Sequence, residues 1–524
     1  MNPHKTIFKS AAAISFMVIL SRLTGFVRDV LIAGIFGTGP AAQAFFVASR
    51  IPNIFRDIVG EGAANAAFVP VFCEYLVSRP RQQFLKLVNG LFLIVAAVAL
   101  ALALAGILLA GPLVKLIAPG FLIDPEKLRM AVHLTRIIFP YLFLAAVSAF
   151  LMAMANSLKS FALPASSSAV FNCVMISALA LLIRPAGPSG IYLLGWAVLA
   201  AGVFQVLIQL PVLVRNHIRF EKDAWTLKGL RQEGIAQIGR LIAPRLVGTS
   251  IYQLNVFVDT IFASLSFYVG EGAIAAIYYA NRIIQFPFGV IGLALSNAAL
   301  PQMASASSRK DMEGLNKSLV FCLKGLFIAM LPVMTGILVF AGPLVQVIFQ
   351  RGSFGSYSTA ITAVAVFFYA LGLLSYSGVR FLSHAFYALQ DTRTPVKTAG
   401  LSLALNIILN LVFVFVFGLG IAGLALASAL SATANFCLLY SRLKTRTGFG
   451  LRAAMEECAV GVLASSAAAA GAAWAAWQAW FSLQPSFLGL CLCLLLAAIV
   501  YACVLLSLGV REARELLLWL IRRK

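Results

Sequence analysis

Acidic side chains are what this chain most lacks. In 524 residues, 18 Asp and Glu stand against 40 Lys and Arg, a formal charge of +22, and all charged residues together make up only 11%. In a soluble chain such a basic excess would point to nucleic acid. Here many of the charges fall between long apolar runs, so membrane topology accounts for them and no nucleic-acid partner is expected. The eight cysteines have no spacing suited to a structural metal and read as packing residues. The four histidines are scattered, with His384 alone placed where protonation is worth testing. The chain has no G-x-x-x-x-G-K-[ST] loop, so an integral ATPase motor is unsupported.

What is present in abundance is hydrocarbon. Hydrophobic residues make up 61% of the chain, and its mean hydropathy is +0.95. Apolar runs of roughly 20 residues, enough to cross about 30 Å of hydrocarbon as helix, recur from Phe8 to Leu508. The expected fold is an all-α, multispanning membrane protein with about 14 spans, at about 8–36, 41–76, 84–109, 129–154, 161–183, 190–214, 236–266, 272–303, 315–339, 356–389, 396–417, 421–441, 454–479 and 486–509. The first is read as an uncleaved helix, because its apolar stretch contains Arg22 and Arg28. Counted from an inside N-terminus, alternate connections collect Arg79, Arg81 and Lys86, then Lys159, then Arg215 to Arg231, and finally the tail from Arg511 to Lys524. The opposite connections hold little beyond Lys115, Lys127, Arg129, Arg184 and Arg351. This asymmetry puts both termini in the cytoplasm and makes the number of spans even.

The chain also repeats itself. Ala110-Gly111-Pro112-Leu113-Val114 returns unchanged as Ala341-Gly342-Pro343-Leu344-Val345, and Leu158 and Pro164 return as Leu389 and Pro395, all at an offset of 231. Ala48-Ser49-Arg50-Ile51 resembles Ala280-Asn281-Arg282-Ile283 at an offset of 232. Six spans separate equivalent points, so the copies share one orientation and a pseudo-twofold along the membrane normal is expected. The expected domains are an N-lobe over 1–232 (spans 1 to 6), a C-lobe over 233–450 (spans 7 to 12), and two additional spans with a basic tail over 451–524.

Arginines inside apolar segments supply the functional lead. Arg22, Arg28, Arg50 and Arg56 lie in the first half and Arg282 in the second. Arg22 is about 21 Å along the helix from either end of its span, beyond the reach of snorkelling. A guanidinium at such depth needs a polar cavity or a partner. Asp29, Asp57 and Glu61 are the acids within reach, and internal pairing with Asp29 or Asp57 is one reading. Five arginines against three acids leave positive charge over, which favours an anionic ligand, and phosphate suits forked guanidinium donors. Gly25, Gly34, Gly37 and Gly39 in or just after span 1, Pro52 between Arg50 and Arg56, and Pro287 after Arg282 read as breaks in a cavity wall that can flex.

Ser21-Arg22-Leu23-Thr24-Gly25-Phe26-Val27-Arg28-Asp29, Phe45-Phe46-Val47-Ala48 and Ile51-Pro52-Asn53 together resemble the opening of the MurJ (MviN) family of lipid II flippases in the MOP exporter superfamily. Glu61-Gly62-Ala63, Tyr278-Tyr279-Ala280-Asn281-Arg282 and Asp391-Thr392-Arg393-Thr394-Pro395 extend the likeness over nearly the whole chain. The resemblance implies two six-helix lobes plus two spans flanking a groove for a polyprenyl tail. It implies alternating access in the cytoplasmic membrane of a bacterium, with no bond broken and no cofactor. Arg22, Arg28, Arg56 and Arg282 match the family's cavity arginines, and Arg50 joins them on position alone. Asp29 and Glu61 match acidic positions that tune the cavity. Gln43, Asn281 and Gln285 stand where the enterobacterial pattern has acids, which leaves this cavity more positive.

Further expectations come with the family. Asp259 and Asp391 match acidic positions of a sodium site in some members, making Na+ the candidate coupling ion. The residue-level alternatives are pairing with Asn255 for Asp259 and a helix cap for Asp391. Expected partners are lipid II, the phospholipid bilayer and proteins of cell-wall synthesis. Competing functions are export of another polyprenyl-linked or amphiphilic substrate and a non-transporting membrane scaffold.

Overall fold

The computed structural model describes residues 3–56, 65–182, 190–218, 232–448, 450, 452–480 and 485–510. Asp57, Glu61, the basic segment from Arg219 to Arg231 and the tail from Arg511 lie outside them. The described secondary structure is helical throughout. In lipid this follows from the backbone, whose N–H and C=O groups find partners within the helix when water is absent. Among the described residues ten stretches are long and apolar enough to cross a membrane, and a bent pair, taken as one span, makes an eleventh. Three further expected spans, 8–36, 41–76 and 236–266, run over residues whose backbone or side chains lie outside the described set.

The chain divides into two compact units, Met1–Leu265 and Ser266–Lys524. The first contains α1 (Pro3–Phe36), α2 (Pro40–Arg56), α3 (Asn65–Ser78), α4 (Arg81–Leu108), α5 (Ala110–Ile117), α6 (Pro125–Ile138), α7 (Tyr141–Ser157), α8 (Ala162–Leu181), α9 (Gly190–Leu207), α10 (Leu210–Arg215) and α11 (Glu233–Ala263). Its principal seams join α1 to α8, α2 to α6, α4 to α7 and α8 to α9. Phe68, Phe72, Phe84 and Phe150 form an aromatic knot at α3, α4 and α7. Their near-perpendicular pairs have ring centroids 5.9 to 6.1 Å apart, a geometry favoured by the ring quadrupoles.

Helix α11 packs within this first unit. At its start the Gly234 N–H donates to the Tyr75 hydroxyl at 3.0 Å, and Glu233 faces Arg79 at 3.6 Å. Beyond its end the Ser264 hydroxyl accepts the Gly120 N–H at 3.1 Å.

The second unit contains α12 (Ser266–Val269), α13 (Ala273–Pro287), α14 (Leu293–Ser308), α15 (Met312–Phe349), α16 (Ser356–Ala370), α17 (Leu373–Ala388), α18 (Arg393–Leu411), α19 (Gly420–Thr447), α20 (Arg452–Trp480) and α21 (Phe487–Ser507). The last two pack on each other and on α15. Leu331, Cys458, Val462 and Leu505 form that contact, and the Tyr501 hydroxyl donates to the Ile328 carbonyl at 2.7 Å. Trp474, Trp477 and Trp480 are expected as interfacial anchors from their place in the sequence. Trp474 and Trp480 are exposed, at 36% and 74%, whereas Trp477 is buried, and Phe340 packs against both Trp474 and Trp477. Five of the eight cysteines are exposed and three buried, so packing describes Cys322, Cys458 and Cys493 alone.

The repeat seen in the sequence recurs in backbone angles. Pro112 and Pro343 each lack an N–H and press their rings on the preceding turn. Each helix bends three residues earlier, at Leu109 (φ −90, ψ 10) and Phe340 (φ −100, ψ 15). The ends of α7 and α17 also match: Leu158 and Leu389 share φ −83, followed by left-handed Lys159 (φ 60) and Gln390 (φ 57). The Ser160 N–H then closes on the Ala155 carbonyl and the Asp391 N–H on the Phe386 carbonyl, both at 2.9 Å, a Schellman closure of the helix end. The stretch 356–389, expected as one span, is a helix pair bent by 46°. The break falls at Leu371 and Gly372 and corresponds to the interruption at Phe139 and Pro140 between α6 and α7.

Candidate functional site

Arg28 is the most firmly placed of the membrane arginines. Its Nε and one terminal nitrogen donate to Asp29 Oδ1 at 3.0 and 2.7 Å, and the other terminal nitrogen donates to Asn172 Oδ1 at 2.9 Å. Asn172 comes from α8. Its amide nitrogen donates back to α1, to the Ser21 carbonyl at 3.0 Å and the Thr24 hydroxyl at 3.3 Å. Gly25 makes this approach easy, since a Cβ there would sit 3.2 Å from the same amide nitrogen. Asp29 is 1% exposed and Arg28 15%. A buried carboxylate and an amide thus fix the plane of a guanidinium within an apolar helix, the preorganisation that recognition of an anion requires.

The other first-unit arginines lie around this pair's helix and the next. Arg22 is exposed on α1 with no hydrogen-bond or ion-pair partner among the described residues. Arg50 and Arg56 are half-buried on α2 either side of buried Pro52, and both are engaged by neighbours. In the second unit Arg282 donates to the Tyr278 hydroxyl at 2.6 Å. Its guanidinium carbon lies 4.8 Å from the centroid of the same ring, so the cation rests on an aromatic face one turn back. Asn281 beside it is half-buried and Gln285 is exposed. Pro287 closes α13, and five π-helical residues, Phe288–Gly292, follow, the local widening common beside functional positions.

The structure therefore joins Gly25, Arg28 and Asp29 into one cluster and adds Asn172, which sequence reasoning missed. An asparagine in an apolar span carries little signal until α8 is known to lie on α1. Arg380 was also missed, although a charge within span 10 is plain in the sequence. It is exposed on α17, on a stripe with Tyr376, Ser383 and Tyr387, and ionisable residues on membrane helices face the bundle interior or a water-filled cavity. His384, one turn on, is buried, with Nδ1 3.3 Å from the Ser296 carbonyl.

Two further polar groups bear on ion binding. Asp391 sits in the turn before α18. Its Oδ1 accepts the Arg393 and Thr394 N–H groups, each at 3.0 Å, and Oδ2 accepts the Thr394 hydroxyl at 2.7 Å and Arg446 at 2.6 Å. Burial pushes this carboxyl up, but the Thr394 and Arg393 donors and the Arg446 charge outweigh it and hold it below its ordinary value of 3.8. Its contribution to stability is thus complete above that value and is lost as pH falls through the depressed one. Asp259, half-buried on α11, belongs to the first unit, whereas Asp391 belongs to the second. Between α18 and α19 lies a fully buried polar seam: the Asn410 amide donates to Asn406 Oδ1 at 3.0 Å, and Asn406 reaches the Ser428 hydroxyl at 3.4 Å.

A family model described as lipid II flippase MurJ matches residues 32–494. A probable lipid II flippase MurJ of Buchnera aphidicola subsp. Acyrthosiphon pisum is 33% identical over 84% of each chain. One of Haemophilus influenzae is 32% identical over 95% of this chain and 99% of its own. Among solved structures, a lipid II flippase MurJ in an inward closed conformation superposes with a TM-score of 0.79 at 23% identity, covering 96% of this chain and 99% of that one. A multidrug MATE transporter of the MOP superfamily, inward-facing, gives 0.68 at 13% identity over 84% of this chain and 98% of that one, a likeness of fold. With the family model spanning most of the chain and full-length relatives above 30% identity, the protein belongs to the MurJ family of lipid II flippases.

Proposed function

We propose that this protein moves lipid II, the polyprenyl-linked peptidoglycan precursor, from the inner to the outer leaflet of the bacterial cytoplasmic membrane by alternating access. It is a transporter and not an enzyme. The finer architecture we propose is fourteen spans in two six-helix lobes, 1–232 and 233–450, related about the membrane normal, with two further spans and a basic tail over 451–524 and both termini cytoplasmic. The arginines take the anionic pyrophosphate of the headgroup, Arg28 and Arg282 foremost, with Arg22, Arg50 and Arg56 adding charge. Asp29 and Glu61 tune the cavity, as do Asn281 and Gln285, and Gly25 and Pro52 let its walls move.

One observation carries this reading. The Arg28 guanidinium is held by Asp29 and Asn172 inside a membrane helix, an expensive arrangement for a passive scaffold. The deciding experiment follows lipid-linked precursor across the membrane in cells depleted of the protein. Depletion should leave precursor headgroups on the cytoplasmic face, and re-expression should clear them. Unchanged flipping after complete depletion would reject the function.

Sodium at Asp259 and Asp391 is part of the proposal as coupling ion. An ion that binds only the folded protein must stabilise it. Sodium should therefore raise the melting temperature more than potassium at equal ionic strength, and Asp259→Asn should erase the difference. Asp391→Ala should cost about 1 kcal/mol in potassium through loss of its helix-start hydrogen bonds and more in sodium, where a ligand is lost as well. An equal cost in both salts would leave Asp391 a helix cap only. Equal melting in both salts over a broad concentration range would remove sodium from the mechanism. Membrane potential would then be left to bias transport, at about 2.3 kcal/mol per elementary charge per 100 mV.

A further inference from the structure

The two units provide an internal comparison on one helix face. Helix α16 of the second unit exposes Tyr357, Ala360, Val364, Phe367 and then Leu371, the apolar stripe expected of a surface in contact with lipid. The equivalent face of α6 in the first unit, at the same 231-residue offset, exposes Glu126, Arg129, His133 and Arg136 and then turns half-buried at Pro140. The backbone runs right-handed helical through Phe139 and Pro140, so the face continues past the break. Among the described residues Arg129 donates only to its own helix, to the Pro125 carbonyl at 3.3 Å. Arg136 has no hydrogen-bond or ion-pair partner among the described residues. The His133 ring meets Tyr192 of α9 edge-on at 5.5 Å, and Trp196, one turn further along α9, is 58% exposed.

Directly beyond Pro140 on this face lies a groove of about 340 Å³ with a wholly apolar wall. Leu100, Leu104 and Ile107 of α4 form one side, Leu199 of α9 the other, and Phe143 and Leu144 of α7 the floor. Depth can be judged from length. The 33 residues from Pro125 to Ser157 reach about 50 Å as helix, against a hydrocarbon core of about 30 Å, so a span centred on the core projects about 10 Å at each end. Arg136, about 16 Å along from Pro125, then lies about 6 Å below the boundary, within reach of a guanidinium that snorkels outward. Cations therefore stand at headgroup level and hydrocarbon-lined space continues beneath them.

We propose that this face of the first unit docks one anionic phospholipid, its phosphate on Arg129, Arg136 and His133 and an acyl chain in the groove below Pro140. The bare positive charge selects an anionic headgroup. The apolar groove in line with it selects a molecule whose charge and chain are joined, and Glu126 at the far end of the stripe holds the phosphate toward Arg136. With the topology proposed above, the lipid comes from the outer leaflet. The docking itself goes beyond the transport reading and is tested without it.

The test uses the full chain in detergent, supplemented with phosphatidylglycerol or phosphatidylcholine, and counts retained lipids by native mass spectrometry. The wild type should retain phosphatidylglycerol about tenfold over phosphatidylcholine, equivalent to about 1.4 kcal/mol. Arg129→Gln with Arg136→Gln should bring the ratio to about one. Arg129→Lys with Arg136→Lys should keep most of the preference, separating charge from folding. Leu104→Trp, which fills the groove, should lower retention of both lipids without changing their ratio. An unchanged ratio in the glutamine pair overturns the proposal, as does undiminished retention in Leu104→Trp. Glycerol phosphate displacing phosphatidylglycerol as well as the intact lipid does would reduce the site to a headgroup contact and also overturn it. So would a polyprenyl phosphate that displaces both lipids at equal concentration, which would give the groove to the transported tail. Because the measured quantity is lipid retention, a failure of the flippase reading leaves the result intact.

Discussion

Arg28→Ala and, separately, Arg282→Ala should lower lipid II flipping by about 100-fold or more, with folded protein still present in the membrane. Charge-assisted hydrogen bonds are worth about 1.5 to 3 kcal/mol each, and a forked guanidinium on pyrophosphate makes two. Losing both from the transport barrier corresponds to about two to four decades in rate. The two sites are anchored differently, and this shapes the controls. Arg28 neutralises Asp29, which is 1% exposed, so removing it leaves a buried carboxylate at a cost of about 3 to 5 kcal/mol. Arg28→Ala with Asp29→Asn relieves that cost while still lacking the clamp, and it should be stable and inactive. Arg282 donates to the neutral Tyr278 hydroxyl and lies over its ring. Lysine at either position should rescue only in part, keeping the charge without the fork. Flipping is measured by headgroup accessibility at the outer face, alongside the amount of protein in the membrane. Normal flipping by the stable variants would sink the phosphate clamp.

The part of this architecture visible in the sequence is the part set by solvent. Span positions follow from hydrocarbon thickness, and the repeat follows from local chemistry that recurs: Pro112 and Pro343 bend their helices at equivalent places, and Leu158 and Leu389 end theirs with equivalent turns. Arg28 with Asp29 was legible because a charged pair in an apolar run is rare. Asn172 was not, because its role depends on which helix lies across from α1, and apolar periodicity in a membrane does not specify neighbours. The bend at Gly372 was hidden for a similar reason. At the 231-residue offset Pro140 corresponds to Leu371 and Gly372 to Tyr141, so the breaking residue changes though the break is kept. The cationic face of α6 emerged only when burial showed which residues share a surface. In the sequence, Arg129 and Arg136 belong to a connection and a span respectively.

A tight backbone approach offers the second large effect. Helix α11 ends against the turn between α5 and α6, where the Ser264 hydroxyl accepts the Gly120 N–H at 3.1 Å. A Cβ on Gly120 would lie 1.9 Å from the Ser264 carbonyl oxygen and 2.4 Å from its carbon. These are main-chain atoms, so no rotamer change can clear them. Gly120→Ala must therefore push the end of α11 away and break the hydrogen bond with it. The expected cost is about 2 to 4 kcal/mol, combining overpacking at about 1 to 3 kcal/mol with a lost hydrogen bond at about 1 kcal/mol. Ser264→Ala brings no clash; it loses this hydrogen bond and the hydroxyl's own to the Ile261 carbonyl at 2.7 Å and should cost about 1 kcal/mol. Adding it to Gly120→Ala should bring no relief, because the obstacle is backbone. Thermal unfolding of the purified variants in detergent measures all three. Equal melting of Gly120→Ala and Ser264→Ala would mean that the end of α11 moves away freely. A large loss for Gly120→Ala alone would fix the end of α11 to the turn between α5 and α6.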